Sequence, residues 1–78
     1  EMEYAALKAI ETVLEITVER QYSVATDNGT FRLDGYHKET NTAYEIDEPY
    51  HTNNTEADLV REQALKDVLG CKFVRIKL

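Results

Sequence analysis

Residues 30–47, TFRLDGYHKETNTAYEID, decide how this chain folds. Two runs rich in β-branched and aromatic residues flank a polar quartet, Lys38-Glu39-Thr40-Asn41. That pattern predicts two antiparallel strands around a short turn. In the first strand, 30–37, Phe31 and Leu33 point one way and Arg32, Asp34 and Tyr36 the other. In the second, 42–47, Tyr44 and Ile46 share one face and Ala43, Glu45 and Asp47 the opposite one. With 38–41 as the loop, His37 faces Thr42, and counting back sets Asp34 opposite Glu45. Directly opposed like charges destabilise a sheet, and Asp47 adds a third carboxylate to the same face. Such a cluster is tolerable where a divalent cation sits in it. Hard oxygen donors suit magnesium or manganese, with water and phosphate completing the shell. The alternative is a solvated face on which the acids are harmless, and a one-residue slip in register would separate the pair.

Working outward, residues 2–15 carry a helical stripe of Ala6, Leu7, Ile10, Val13 and Leu14, with Lys8, Glu11 and Glu15 off it. Glu3 lies three, four and seven positions before Ala6, Leu7 and Ile10, so it shares their inward azimuth. The alternative is an exposed first turn, where a carboxylate suits the helix dipole. Residues 16–25 read as a strand. Asp27-Asn28-Gly29 then predicts a hairpin turn, because Asn and Gly accept positive φ at low cost. Pro49 closes the third strand, and a polar loop follows. Thr55 is a good N-cap for a helix over 56–69, with Asp58 at N3 and Gly70 as the C′ residue. Val60, Ala64, Leu65, Val68 and Leu69 form its predicted buried stripe. Residues 71–78, CKFVRIKL, alternate and read as a last strand. It reaches the sheet by a helical crossover, which predicts parallel pairing. The expected fold is α+β, in the order α-β-β-β-α-β, with a four-stranded mixed sheet and two helices.

The chain has 78 residues, 15 acids against 9 bases, and a net charge of −6. That length predicts one domain over 1–78 with a modest core. The lone Cys71 allows no internal disulfide. No apolar run approaches the roughly 18 residues of a membrane span, so a soluble, cytoplasmic domain without a membrane partner is expected. The acidic balance argues against a nucleic-acid binder that works through a basic surface. Both ends fall inside element-like sequence, which predicts a piece of a longer protein.

Other residues carry chemistry of their own. His51 follows the acidic strand, where an imidazole beside a metal could take a proton from water. An exposed loop histidine is the plainer reading. Tyr50 beside it is either a core residue or one that stacks on a base. Arg61 borders the buried face of the second helix, three residues after Asp58. The two form a surface ion pair, or both face the acids with Arg61 on a phosphate.

The stretches FRLDGY, AYEIDEPYH and DLVREQALKDVLGCKFVRI resemble the PD-(D/E)XK nuclease superfamily. The resemblance is nearest to its very-short-patch repair and EDxHD homing endonucleases, the latter from phage introns. It covers about Glu3 to Ile76. It implies that Asp34 and Glu45, with the main-chain carbonyl of Ile46, hold a magnesium or manganese ion. It implies that His51 assists deprotonation of the attacking water, and it matches Glu3 and Asp58 to two further acids of the pattern. Asp47 stands where the family's lysine would be, which opens the alternative of an inactive nuclease fold kept as a DNA- or protein-binding module. The active reading is a metal-dependent endonuclease on double-stranded DNA, with Arg61, Lys72 and Tyr50 as phosphate or DNA contacts. The acidity at Asp34, Glu45, Asp47 and Glu48 is then where a dication inverts the local sign. The remaining negative charge implies that a separate basic region supplies DNA affinity. Monomer and dimer both fit this reading.

Overall fold

The two central turns close as their sequences predict. Thr26 pairs with Gly29 across Asp27-Asn28, and His37 pairs with Thr42 across the polar quartet. Asn41 ends that second turn at φ 50, a left-handed conformation that asparagine tolerates, and its N–H donates to the Lys38 carbonyl at 3.0 Å. Its side chain also accepts from the Tyr36 hydroxyl and donates to the Leu69 carbonyl, fastening the turn to the second helix.

The computed structural model describes residues 2–49 and 55–78. In chain order these form α1 (Met2–Leu14), β1 (Glu19–Thr26), β2 (Gly29–His37), β3 (Thr42–Asp47), α2 (Glu56–Leu69) and β4 (Lys72–Lys77). The sheet order is β1-β2-β3-β4. The first two pairings are antiparallel and β3–β4 is parallel, as a helical crossover requires. Successive residues on β3 point to opposite faces. Ala43 joins a cluster with Val24, Leu33, Tyr36, Leu65 and Cys71, while Tyr44 and Ile46 join one with Leu7 and Val18. The helices therefore cover opposite faces, α2 through Leu65 and α1 through Leu7.

Both helices bury less than their apolar spacing predicts. On α1, Leu7 is buried, but Val13 is 79% exposed and Leu14 also faces solvent. Glu11, read as lying off the stripe, turns inward instead. It accepts from the Val18 N–H at 2.8 Å and binds Arg20 at 2.6 Å. Residues 16–18 consequently serve as a connector, entered through Glu15 at φ 56, and β1 starts at Glu19 rather than 16. On α2, Ala64 and Leu65 are buried while Val60 and Val68 stay exposed. Arg61 takes a place on the inner face because it has a charge to meet there. The caps follow the sequence. Thr55 accepts from the Asp58 N–H, and Gly70 closes the helix at φ 60.

One departure lies in β2. Leu33 and Tyr36 belong to the same cluster, although strict alternation sets them on opposite faces. Gly35, between them, faces the other way: a Cβ there would stand 2.5 Å from Val18 and 2.9 Å from Leu7. The alternation therefore resets at Asp34.

Candidate acidic site

Asp34 is the point at which the β2–β3 ladder changes character. The backbone pairs run His37↔Thr42, Tyr36↔Ala43 and Gly35↔Tyr44. The next position in that register sets Asp34 opposite Glu45. There side chains replace the ladder bonds. The Asp34 N–H donates to Glu45 Oε2 at 2.8 Å, and the Ile46 N–H donates to Asp34 Oδ2 at 2.9 Å. Each carboxylate is thus aimed by the main chain of the opposite strand. The strands stay tied while their acidic side chains converge.

These two acids line a polar cleft with Asp47 and Glu48 on the β3 side, Glu3 on α1 and Asp58 on α2. Ile46 contributes to the lining, and Arg61 and Arg75 supply positive charge. Arg61 Nη1 meets Glu45 Oε1 at 2.7 Å, and its Nη2 donates to the Arg32 carbonyl. Arg75 meets Asp47 Oδ1 at 2.8 Å and Glu62 Oε1 at 3.0 Å, and Lys66 adds a second cation to Glu62. Burial pushes the Glu45 carboxyl above its ordinary 4.5, the nearby Asp34 charge adds to the rise, and the Asp34 N–H and Arg61 counter it. The Lys66 hydrogen bond, with Arg75, holds Glu62 below its ordinary value against burial.

Of the residues singled out in the sequence, Glu3, Asp34, Glu45, Ile46, Asp47, Asp58 and Arg61 come together here. Arg61 pairs with Glu45, so the surface pair with Asp58 is not what it forms. Lys72 stands elsewhere. It pairs with Thr42 while Arg75 lies level with Glu45 and Lys77 with Asp47, so about 10 Å of strand separates Lys72 from Glu45 and about 16 Å from Asp47. His51 and Tyr50 lie outside the described residues. His37 is buried in the turn, with Nδ1 2.7 Å from the Thr40 hydroxyl. Arg75 is a site residue that the motif pattern does not single out. Alternation in CKFVRIKL puts it on the face of Phe73, and counting the parallel register would have set it beside Glu45.

The donor chemistry, two main-chain-aimed carboxylates with a carbonyl between the acids of β3, suits a hard dication. Among the described residues, no three His, Cys, Asp or Glu side chains close around a single point, and arginines pair with Glu45 and Asp47. No helix among them is long and apolar enough to cross a membrane. Set against known protein families, curated proteins and solved structures, the chain finds no match.

Proposed function

We propose that this chain is the catalytic domain of a metal-dependent DNA endonuclease of the PD-(D/E)XK type. One observation carries the reading. At Asp34 and Glu45 the sheet gives up its backbone ladder and orients two opposed carboxylates with main-chain N–H groups. Directly opposed like charges destabilise a sheet, and here Arg61 offsets that charge at Glu45. Asp34, Glu45 and the Ile46 carbonyl would hold magnesium or manganese. Such an ion supplies charge neutralisation on the phosphate oxygens and lowers the pKa of water.

The chain's own groups supply the rest. Arg61 contacts the phosphate with the guanidinium that otherwise pairs with Glu45. His51 accepts the proton of the attacking water, as the family resemblance implies, with Glu3 or Asp58 orienting the imidazole. Arg75 keeps Asp47 neutralised within the cleft. The net charge of −6 means that DNA affinity comes from a separate basic region, within an intracellular protein.

Plasmid cleavage with magnesium at low salt tests the reading, comparing the wild-type chain with Asp34→Ala and His51→Ala. Loss of cleavage in both variants supports it, and equal rates in all three would discard the site.

A second reading is an inactive nuclease fold that binds DNA or protein. The arginine clamps on Glu45 and Asp47 favour it, because they satisfy both acids without a metal. Calorimetry with manganese separates the two: heat that disappears in Asp34→Ala favours the enzyme, and none from the wild-type chain favours the module.

A further inference from the structure

Arg20 and Tyr22 are neighbours but one on β1, yet they face opposite sides of the sheet. Arg20 pairs with Glu11 of α1, while Tyr22 packs with the α2 cluster. Leu33 and Gly35 divide in the same way on β2. The residues between them, Gln21 and Asp34, stand at the same level, because the register runs Arg20↔Gly35 and Tyr22↔Leu33. Both strands therefore reset their alternation together. On β1 the reset is made by Gln21 at φ 50, in the left-handed region that side chains with a Cβ uncommonly adopt. Glycine or asparagine would adopt it more readily, so the conformation alone does not call for glutamine.

The side chain does. Gln21 Nε2 donates to Glu3 Oε2 at 2.7 Å. Glu3 lies in the first turn of α1 and borders the cleft that also holds Asp34 and Glu45. A carboxylate on a first turn has many rotamers open to it, and this solvent-exposed hydrogen bond favours those that reach the Gln21 amide. A lysine at this position would also hold Glu3, but it would cancel a charge in the acidic cleft. An amide fixes the carboxylate and leaves its charge intact. Backbone conformations of this kind persist where the surroundings over-determine them, and they gather at functional sites.

We infer that Gln21 is a positioning residue, whose left-handed backbone aims its amide at Glu3 and holds that carboxylate at the edge of the acidic cleft. The inference rests on the nuclease reading above and adds a residue to it. Two substitutions separate side chain from backbone. Gln21→Gly takes φ 50 freely, and Gln21→Asn tolerates it but is one methylene shorter.

The experiment is magnesium-dependent plasmid cleavage by the whole chain, at low salt and in plasmid excess to offset its weak hold on DNA, with melting temperatures measured in parallel. Both variants should melt within a few degrees of wild type or higher. Both should lose at least tenfold in kcat with KM within twofold, and neither should deepen the loss caused by Glu3→Gln. Wild-type kcat in either variant overturns the inference, as do losses that multiply with that of Glu3→Gln. Failure of both variants to fold also overturns it, assigning Gln21 to the sheet alone. A wild-type chain no more active than Asp34→Ala overturns the nuclease reading itself, and this role with it.

Discussion

Arg61 on α2 and Glu45 on β3 form an ion pair at 2.7 Å, with the Glu45 side chain only 7% exposed. Removing one partner of such a pair leaves a buried charge unmet. Arg61→Ala should therefore destabilise the fold by about 3 kcal/mol. Urea denaturation near neutral pH measures it, and an unchanged midpoint would show that water already serves Glu45.

Glu45→Gln should shift the pH dependence of stability in a defined direction. Burial holds the Glu45 carboxyl above 4.5 in the folded chain, so its favourable contribution is full below that value. It is lost as pH rises through the folded value, because the unfolded chain ionises first. The glutamine has no such loss. Wild type should thus fall behind the variant as pH climbs above 4.5, and denaturation at several pH values between 4 and 8 reads the trend. A constant difference would place the carboxyl at its ordinary value.

Gly35→Ala tests the approach of α1 to the sheet. A Cβ at this position meets Val18 at 2.5 Å and Leu7 at 2.9 Å, and both of those side chains are buried. Relief requires α1 or the connector to move, at a cost of about 1–3 kcal/mol. A thermal melt should show the loss, and a melting temperature at or above wild type would contradict the packing described.

Glu11→Gln probes the connector between α1 and β1. Its carboxylate accepts from the Val18 N–H, whose bond holds the group below its ordinary 4.5, with Arg20 lowering it further against burial. That contribution is present above 4.5 and fades as pH falls below it. The variant should lose about 1–2 kcal/mol near pH 7. The deficit should narrow as pH falls below 4.5 and the wild-type carboxyl takes up its proton. A pH-independent deficit would assign the loss to shape and not to charge.

Much of the architecture follows from local chemistry. The alternation of TAYEID, the Asp-Asn turn, the Thr55 cap and Gly70 each fix their element without help from distant residues. The opposed pair Asp34 and Glu45 follows from one turn length. What sequence periodicity could not supply was which apolar residues find a partner. Val13 and Val68 fit their helical stripes but reach beyond the surface that the sheet offers. The inward turns of Glu11 and Arg61 are tertiary in origin, one set by an N–H on the following connector, the other by a carboxylate on a distant strand. The coordinated reset at Gln21 and Asp34 has no marker in the β1 sequence, because glutamine is an ordinary strand residue.

The reciprocal bonds at Asp34 and Ile46 make two amide protons into internal reporters. Each is shielded by a carboxylate oxygen and not by a neighbouring carbonyl. Anything that draws on those oxygens, such as a proton or a dication, changes the electron density that the two N–H groups feel, and the departure of Arg61 from the other Glu45 oxygen reaches the Asp34 amide through the shared carboxylate. Their nuclear magnetic resonance shifts and hydrogen-exchange rates would follow the state of the cleft directly, while the amide of Tyr44, held in the backbone ladder, serves as the silent reference.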